Sequence, residues 1–340
     1  MTERSRYARQ EAFTGIGREG QGRLRSARVL LVGSGALGSA LAETLVRGGI
    51  GSLTVVDRDV VEIGNLQRQS LFDEEDARRA LPKAVAATER LRRLNADVNV
   101  TGLVVDVVRA NVAGLVRGHC LVLDGTDNLD TRYLVNDACL AAGVPWVYAA
   151  TVAAHGLVLT VRPHETPCLR CVFGEKPAAG LLPTCETEGI LGSAVQVVAG
   201  LAATEALKLL TGSQKALLPG LIRVDVWDGV LDVTDFGGRL PWCASCTEGP
   251  SLAEAIAAPE AEVLCGADVV QLRPRDGARP DLAGLAKRLA AVGEVVRNEH
   301  LLRLRTATAD ITIFGDGRTL VRGARDGAEA RGLVARYVGS

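Results

Sequence analysis

Short apolar runs of strand length alternate with longer amphipathic runs along the first 150 residues. Ala27 to Val32 reads ARVLLV, as expected of a strand buried on both faces. A glycine turn follows, then a helical pattern from Leu37 to Arg47. Strand-like runs recur at Leu53 to Val56, Val98 to Val104, His119 to Leu123 and Pro145 to Ala150. A helix ending near Leu94 and another over Thr131 to Ala142 fall between them. This alternation predicts an α/β fold with a doubly wound, mostly parallel sheet. After Thr151 the pattern changes. Gly156 to Val161 can pair antiparallel, and Glu165 to Gly192 has little periodicity and several Pro and Gly. Such a long irregular segment in a compact domain points to function. A helix over Leu191 to Leu210 and strands near Leu221 to Trp227 and Val230 to Phe236 complete an expected antiparallel extension.

Thr247 to Pro259 is rich in Ala, Pro and Gly and reads as a linker. Beyond it, Asp281 precedes Leu282, Leu285, Leu289 and Val292 at helical spacing. ITIFGDGRTLV predicts a hairpin turning at Gly315 to Gly317, and Asp326 with Glu329 makes a capping-box-like start to a last helix. The expected organisation is a large domain over residues 1–247, a linker over 248–261 and a small α+β domain over 262–340.

Composition narrows the function classes. The chain has 340 residues, 47% of them hydrophobic, and a net charge of −1. That charge argues against binding nucleic acid by neutralising its phosphates. MTERSRYARQ lacks the apolar core of a signal peptide, and Gln196, Glu205 and Lys208 interrupt the most apolar helix, so no membrane span is expected. Four of eight cysteines form two CxxC pairs, which in a cytoplasmic chain reads as metal binding.

Gly33, Gly35 and Gly38, with Ala36 between them, form GSGALG directly after a strand and before a helix. The glycines let phosphate approach the backbone and meet the positive end of the helix dipole, as in a Rossmann-like fold. Asp57 ends the next strand, where a carboxylate can accept hydrogen bonds from ribose hydroxyls. The bland alternative is a tight strand-to-helix turn, and the fingerprint alone favours a dinucleotide dehydrogenase. Asp59, Asn65, Arg68 and Lys83 follow in DRDVVEIGNLQRQ and ALPK. Two further cations and an amide suit a triphosphate, although each cation alone also reads as a surface charge. Asp124, Asp127 and Asn128, in LDGTDN, lie past the end of a central strand. A carboxylate there suits Mg²⁺; the competing reading is a helix N-cap.

Cys168, Cys171, Cys243 and Cys246 (CLRC and CASC) offer four thiolates for a closed tetrahedral Zn²⁺ site, against free or disulfide-linked cysteines as the alternative. Cys185 stands alone in the irregular segment, while Cys120 and Cys139 read as core.

RYARQ, GSGALG, DRD…NLQRQ, the PK at Lys83, DGTDN…TRYLVNDAC and the two CxxC pairs occur together and in order. Over residues 4–247 the chain resembles the bacterial ubiquitin-activating-enzyme-like superfamily (ThiF/MoeB/HesA), closest to the sulfur carrier protein adenylyltransferases of molybdopterin and thiamine biosynthesis. The resemblance implies a homodimer that adenylylates the C-terminal Gly carboxylate of a ubiquitin-like sulfur carrier ending in Gly-Gly, with ATP as substrate and Mg²⁺ and Zn²⁺ as cofactors. A sulfur donor protein is implied as a second partner. It further implies that Asp57 holds the ribose, that Asn65, Arg68 and Lys83 hold phosphates, and that Asp127 binds Mg²⁺. Arg9 then reaches the ATP of the partner subunit, and Cys185 joins sulfur or acyl transfer, the alternative being a loop thiol without chemistry. Two departures stand out: Ala36 replaces a frequent glycine, and Ala80-Leu81 after DEEDARR leaves the path to Lys83 open. An adenylating enzyme acting on a peptide or a tRNA base, a nicotinamide-dependent oxidoreductase and a non-catalytic scaffold are the alternatives. The tail falls outside the resemblance. Some relatives carry a rhodanese domain there, but Cys265, in an apolar run, is the tail's one cysteine. The tail is therefore expected to dock the carrier or its donor and to take no part in adenylation.

Overall fold

The computed structural model describes residues 6–177, 183–185, 187–250, 260–264, 269–274 and 279–339. The chain divides into two compact units: residues 1–59, 63–73 and 82–256 form the first, and residues 60–62, 74–81 and 257–340 the second. Residues 251–259 of the expected linker, and Cys265, lie outside the described residues.

The first unit opens with α1 (Ala8–Glu11) and α2 (Gly17–Ser26). Next come β1 (Arg28–Val32), α3 (Ala36–Gly48) and β2 (Ser52–Asp57). A long loop contains α4 (Glu74–Arg78), a segment of the second unit, and leads to α5 (Lys83–Leu94). β3 (Asn99–Val104), α6 (Arg109–Val116), β4 (Leu121–Asp124), α7 (Leu129–Ala142) and β5 (Trp146–Val152) continue the alternation. β6 (His155–Val161), α8 (Leu169–Phe173), α9 (Gly192–Thr211), β7 (Leu221–Asp225), β8 (Val230–Thr234) and α10 (Ala244–Thr247) complete it. The eight strands run in the order β3-β2-β1-β4-β5-β6-β7-β8. β1 to β5 pair in parallel and β6 to β8 extend the sheet antiparallel, as the pattern predicted.

Period-two alternation in β1 sends Val29 and Leu31 to one face and Leu30 and Val32 to the other, where they join Val112, Val116, Val135 and Ala138 of α6 and α7. α3, α5 and α9 pack together on the opposite face. α9 is long and apolar enough to span a bilayer, but half of that stretch is buried in the fold. Cys139 is buried as expected; Cys120 is not core but exposed, because it precedes β4 rather than lying within it.

Tyr7 anchors α1. Its ring occupies the space beside Gly49, where a Cβ would lie 2.4 Å from Tyr7 Cζ. Its hydroxyl accepts from buried Asn95 Nδ2 at 2.8 Å, and Gln10 donates to the Gly48 carbonyl at 2.8 Å.

The second unit is a six-stranded sheet, β11-β12-β13-β14-β10-β9, antiparallel throughout. Its strands are β9 (Ala261–Leu264), β10 (Val269–Leu272), β11 (Glu294–Arg297), β12 (Leu301–Arg305), β13 (Asp310–Phe314) and β14 (Thr319–Arg322). α11 (Leu282–Leu289) starts at the Asp281 cap and α12 (Gly327–Tyr337) at the Asp326 cap, each carboxylate accepting two backbone N–H bonds. The hairpin joins β13 to β14 at the expected turn.

Candidate active site

β1 lies between β2 and β4, so the chain's connections diverge on its two sides and leave a crevice beyond the strand ends. The glycine loop fills the floor of this crevice against the β4–α7 turn. Gly33 has φ +84°, and a Cβ on it would lie 2.7 Å from the Gly125 carbonyl oxygen. A Cβ on Gly38 would approach the Gly33 oxygen to 2.0 Å, and one on Gly125 would approach it to 2.3 Å. Contacts this short exclude any side chain, which explains three of the glycines. Gly35 is different: a Cβ there would only make ordinary contact, with Gln69 Nε2 at 3.7 Å, and the residue is partly exposed in the crevice. Ala36 is the first residue of α3.

Asp57, at the end of β2, ties this loop down. Its Oδ2 accepts from the Ser34 N–H at 2.7 Å and from Ser34 Oγ at 2.9 Å, and its Oδ1 from the Asp59 N–H at 2.8 Å. Burial raises the Asp57 pKa and nearby Lys83 opposes the rise. Lys83 is itself buried, and its Nζ donates to Asp59 Oδ2 at 3.2 Å. Burial alone would lower its pKa, but Asp59, Asp57 and Asp127 together raise it, so the ammonium is held charged. Asp59 is 40% exposed, the more accessible of the two β2-end carboxylates.

Asn65 and Arg68 lie on the β2–α5 loop. Asn65 Oδ1 accepts from Gln69 at 2.9 Å, and Arg68 Nη1 donates to the Gly64 carbonyl at 3.0 Å. Asp127 is exposed at the head of α7. Asn128 is the helix N-cap, its Oδ1 accepting from the Thr131 N–H at 2.8 Å, so that oxygen is engaged by the chain itself. Asp124 is buried and accepts twice from Thr126.

Cys185 enters this neighbourhood from the irregular segment. Its half-buried thiol sits 3.5 Å from the Thr151 carbonyl. Burial raises its pKa, as does Asp127, while Arg68 and Arg132 pull it down. Cys185 and Lys83 thus share one charged neighbour, Asp127. Residues 178–182 and 186, which flank it, lie outside the described residues. Arg9 is exposed on α1.

Three residues of α7 escaped the sequence reading. Arg132 is buried, donates to the Thr126 carbonyl at 2.6 Å, approaches Asp124 at 3.4 Å and covers the Tyr148 ring. It thereby holds the turn that presents Asp127. Asn136, fully buried, accepts from the Leu169 N–H at 2.9 Å, and Asp137 pairs with Arg170 at 3.0 Å. Asn128, Arg132 and Asn136 recur every fourth residue on a largely apolar helix, a polar stripe that the sequence does display.

That stripe leads to the cysteines. The four sulfurs of Cys168, Cys171, Cys243 and Cys246 lie within 4.8 Å of one another, with near pairs at 3.8, 3.7 and 3.6 Å. A disulfide needs about 2.05 Å. Four bonds of about 2.3 Å around a tetrahedral zinc place sulfurs about 3.8 Å apart. The donor set therefore fits Zn²⁺. Burial pushes the Cys168 thiol well above its ordinary range, a cost that a bound cation would offset.

The ThiF family model matches residues 7–238. The chain belongs to the ThiF family. This ThiF-family chain is 42% identical over 337 residues to the sulfur carrier protein ThiS adenylyltransferase of Bacillus subtilis, covering 98% of the chain and 99% of that relative. It is 41% identical to the SAMP-activating enzyme E1 of Haloferax volcanii, over 73% of the chain and 90% of the relative. Among solved structures, E. coli MccB with ATP superposes with a TM-score of 0.63 at 21% identity, over 72% of this chain and 74% of that one, which shows a shared fold. The match to the Bacillus relative thus runs on through residues 257–340 of the second unit, whereas the family model ends before them.

Proposed function

We propose that the chain is a nucleotidyltransferase that uses ATP to adenylylate the C-terminal Gly carboxylate of a ubiquitin-like sulfur carrier protein. The observation that carries this reading is Lys83, a buried ammonium paired with Asp59 at 3.2 Å and kept charged among Asp57, Asp59 and Asp127, with Asp57 bonded to the glycine loop at Ser34. Identity to adenylyltransferases of such carriers supports the choice of acceptor.

The nucleophile needs no general base, because a C-terminal carboxylate, pKa about 3.5, is already ionised at neutral pH. Its attack on the α-phosphorus forms the acyl-adenylate and releases pyrophosphate. Gly33, Gly35, Ala36 and Gly38 receive the nucleotide against the start of α3. Asp57 and Asp59 face the ribose, and Asn65, Arg68 and Lys83 hold the phosphates, so the work of the site is alignment and charge compensation. Asp127, with Asn128 beside it, would hold Mg²⁺, which neutralises phosphate charge when bound. Arg9 completes the site of the partner subunit in a homodimer.

Cys185 takes the second step in this reading. Its thiolate attacks the acyl carbonyl, a thioester forms, AMP leaves with the bonding electrons, and the thiol proton goes to solvent. Sulfide-level sulfur delivered by a donor protein then attacks the thioester carbonyl, the C–S bond to Cys185 breaks, and the carrier thiocarboxylate leaves a free Cys185 thiolate. Residues 1–247 carry this chemistry in the cytoplasm, 248–261 link, and 262–340 form the accessory α+β domain. Cys168, Cys171, Cys243 and Cys246 would hold a structural zinc with no open position.

The deciding experiment is ATP–pyrophosphate exchange with and without a carrier ending in Gly-Gly. Exchange that requires both the carrier and Mg²⁺ is expected. Carrier-independent NAD reduction, or exchange driven by a short peptide or tRNA alone, would replace this reading.

A further inference from the structure

The β2–α5 loop carries Asn65 and Arg68 and delivers Lys83, and both of its stems belong to the second unit: residues 60–62 and 74–81 group with 257–340. The stem that leads into Lys83 contains a backbone anomaly. α4 ends at Arg78, and Ala80 then takes a left-handed conformation with φ +48°. A residue with a Cβ is disfavoured there by about 1–2 kcal/mol. It persists only where its surroundings over-determine it.

Those surroundings are specific. The Ala80 side chain is buried, its N–H donates to the Ala77 carbonyl at 3.1 Å, and the Leu81 N–H donates to the Asp76 carbonyl at 3.0 Å. The carbonyls of Arg79 and Ala80 both accept from one amide, Asn298 Nδ2, at 3.2 and 3.3 Å. Asn298 lies in the turn between β11 and β12, and its Oδ1 accepts from the His300 and Leu301 N–H groups, each at 2.9 Å. Oxygen closes the hairpin turn; nitrogen holds the bend at Ala80.

The chain then enters Lys83. The Val61 N–H donates to the Leu81 carbonyl at 2.9 Å, and the Lys83 N–H to the Asp59 carbonyl at 2.9 Å, so the two stems are clasped where Lys83 begins. The other stem is held by Glu62, 2.5 Å from Arg322. Glu62 also lies 3.9 Å from Arg303, which is fork-paired with Asp310 at 2.8 and 2.7 Å. The Glu62–Arg322 pair is partly exposed and contributes little alone. Asn298 is the more specific contact, because a neutral amide that bridges two carbonyls has few substitutes.

We propose that Asn298 is a positioning residue for Lys83, holding the left-handed turn from which the chain enters α5, so that the second unit tunes ATP binding. The proposal rests on the reading of Lys83 as a phosphate-binding cation. It departs from the expectation that the tail acts on the carrier alone. A cation displaced by about 1 Å loses much of its effect on a transferring phosphate.

The test uses the full chain. Asn298→Asp keeps the acceptor that closes the hairpin but turns an oxygen towards two carbonyls. The ATP Kd by calorimetry and the KM for ATP should rise about five- to tenfold, the scale of one lost hydrogen-bonding anchor. The KM for carrier should stay unchanged. Adding Ala80→Gly, which accepts the left-handed turn without help, should restore most of the ATP affinity. Should Asn298→Asp melt early, Asn298→Ser, which caps the turn but cannot reach the carbonyls, carries the same expectations. Wild-type ATP affinity in these variants, a defect confined to carrier KM, or no rescue by Ala80→Gly would overturn the proposal. A wild-type chain that neither binds ATP nor exchanges pyrophosphate would instead bring down the functional reading itself.

Discussion

Two polar clusters are organised by the same helix, and they are finished to different degrees. At one end of α7 the turn held by Arg132 presents Asp127 to Lys83. Further along, Asn136 and Asp137 grip the Leu169–Arg170 knuckle between Cys168 and Cys171. The sulfur cluster is buried, and its geometry fits one small cation. The other is an asymmetric set of charges that reaches the surface through Asp59 and Asp127. A closed donor set belongs to stability and an open one to chemistry, and the distinction rests on exposure and donor type rather than on how acidic or reactive the residues are.

The sharpest way to break this contrast is Lys83→Ala. Loss of one preorganised cation should slow pyrophosphate exchange about a thousandfold, while zinc content stays at one per chain. In mixed dimers, an Arg9→Ala subunit paired with a Lys83→Ala subunit should regain part of the activity. Verified heterodimers that stay dead would remove Arg9 from the partner's site. Cys243→Ser tests the other cluster. Zinc and thermal stability should fall together, since a structural metal site contributes directly to folding. Metal-free protein with unchanged melting would show that the cluster is not structural.

Gly125→Ala asks whether the cradle depends on backbone contact. Its Cβ would lie 2.3 Å from the Gly33 oxygen and 2.7 Å from Gly38 Cα, so the loop must shift and ATP affinity should drop at least tenfold on calorimetry, about 1.4 kcal/mol or more. The smallest effect concerns Cys185. Its raised pKa means that the thiolate fraction, and with it the rate of acyl transfer, should keep rising above the ordinary thiol range. Exchange, which needs no thiolate, should not follow that rise. A transfer rate flat over that range would separate Cys185 from the chemistry.

Much of this was legible in the sequence because it is local. Strand and helix periodicity, the glycine loop after β1, the two CxxC pairs and the Asp281 and Asp326 caps all declare themselves within a few residues. What escaped depends on distant partners. Arg132 and Asn136 acquire roles only from the Thr126 carbonyl and the Leu169 N–H. Gly125 acquires its role from Gly33. α6 was missed because RANVAGLV carries little amphipathic contrast. The path to Lys83 stayed open because alanine gives no sign of a left-handed turn; the pin, Asn298, is 218 residues away.

The anchoring of Tyr7 has a thermodynamic consequence. Fixing the backbone of a flexible segment costs about 1–2 kcal/mol per residue when it docks. Gly49, Asn95 and Gly48 already hold the residues on either side of Arg9 in the isolated chain. An arginine delivered from that mount loses mainly its own side-chain freedom, about 2 kcal/mol at most, on meeting a negatively charged neighbour. The order has been built in before the encounter, so residues 7–10 act as a rigid bracket rather than a fishing line.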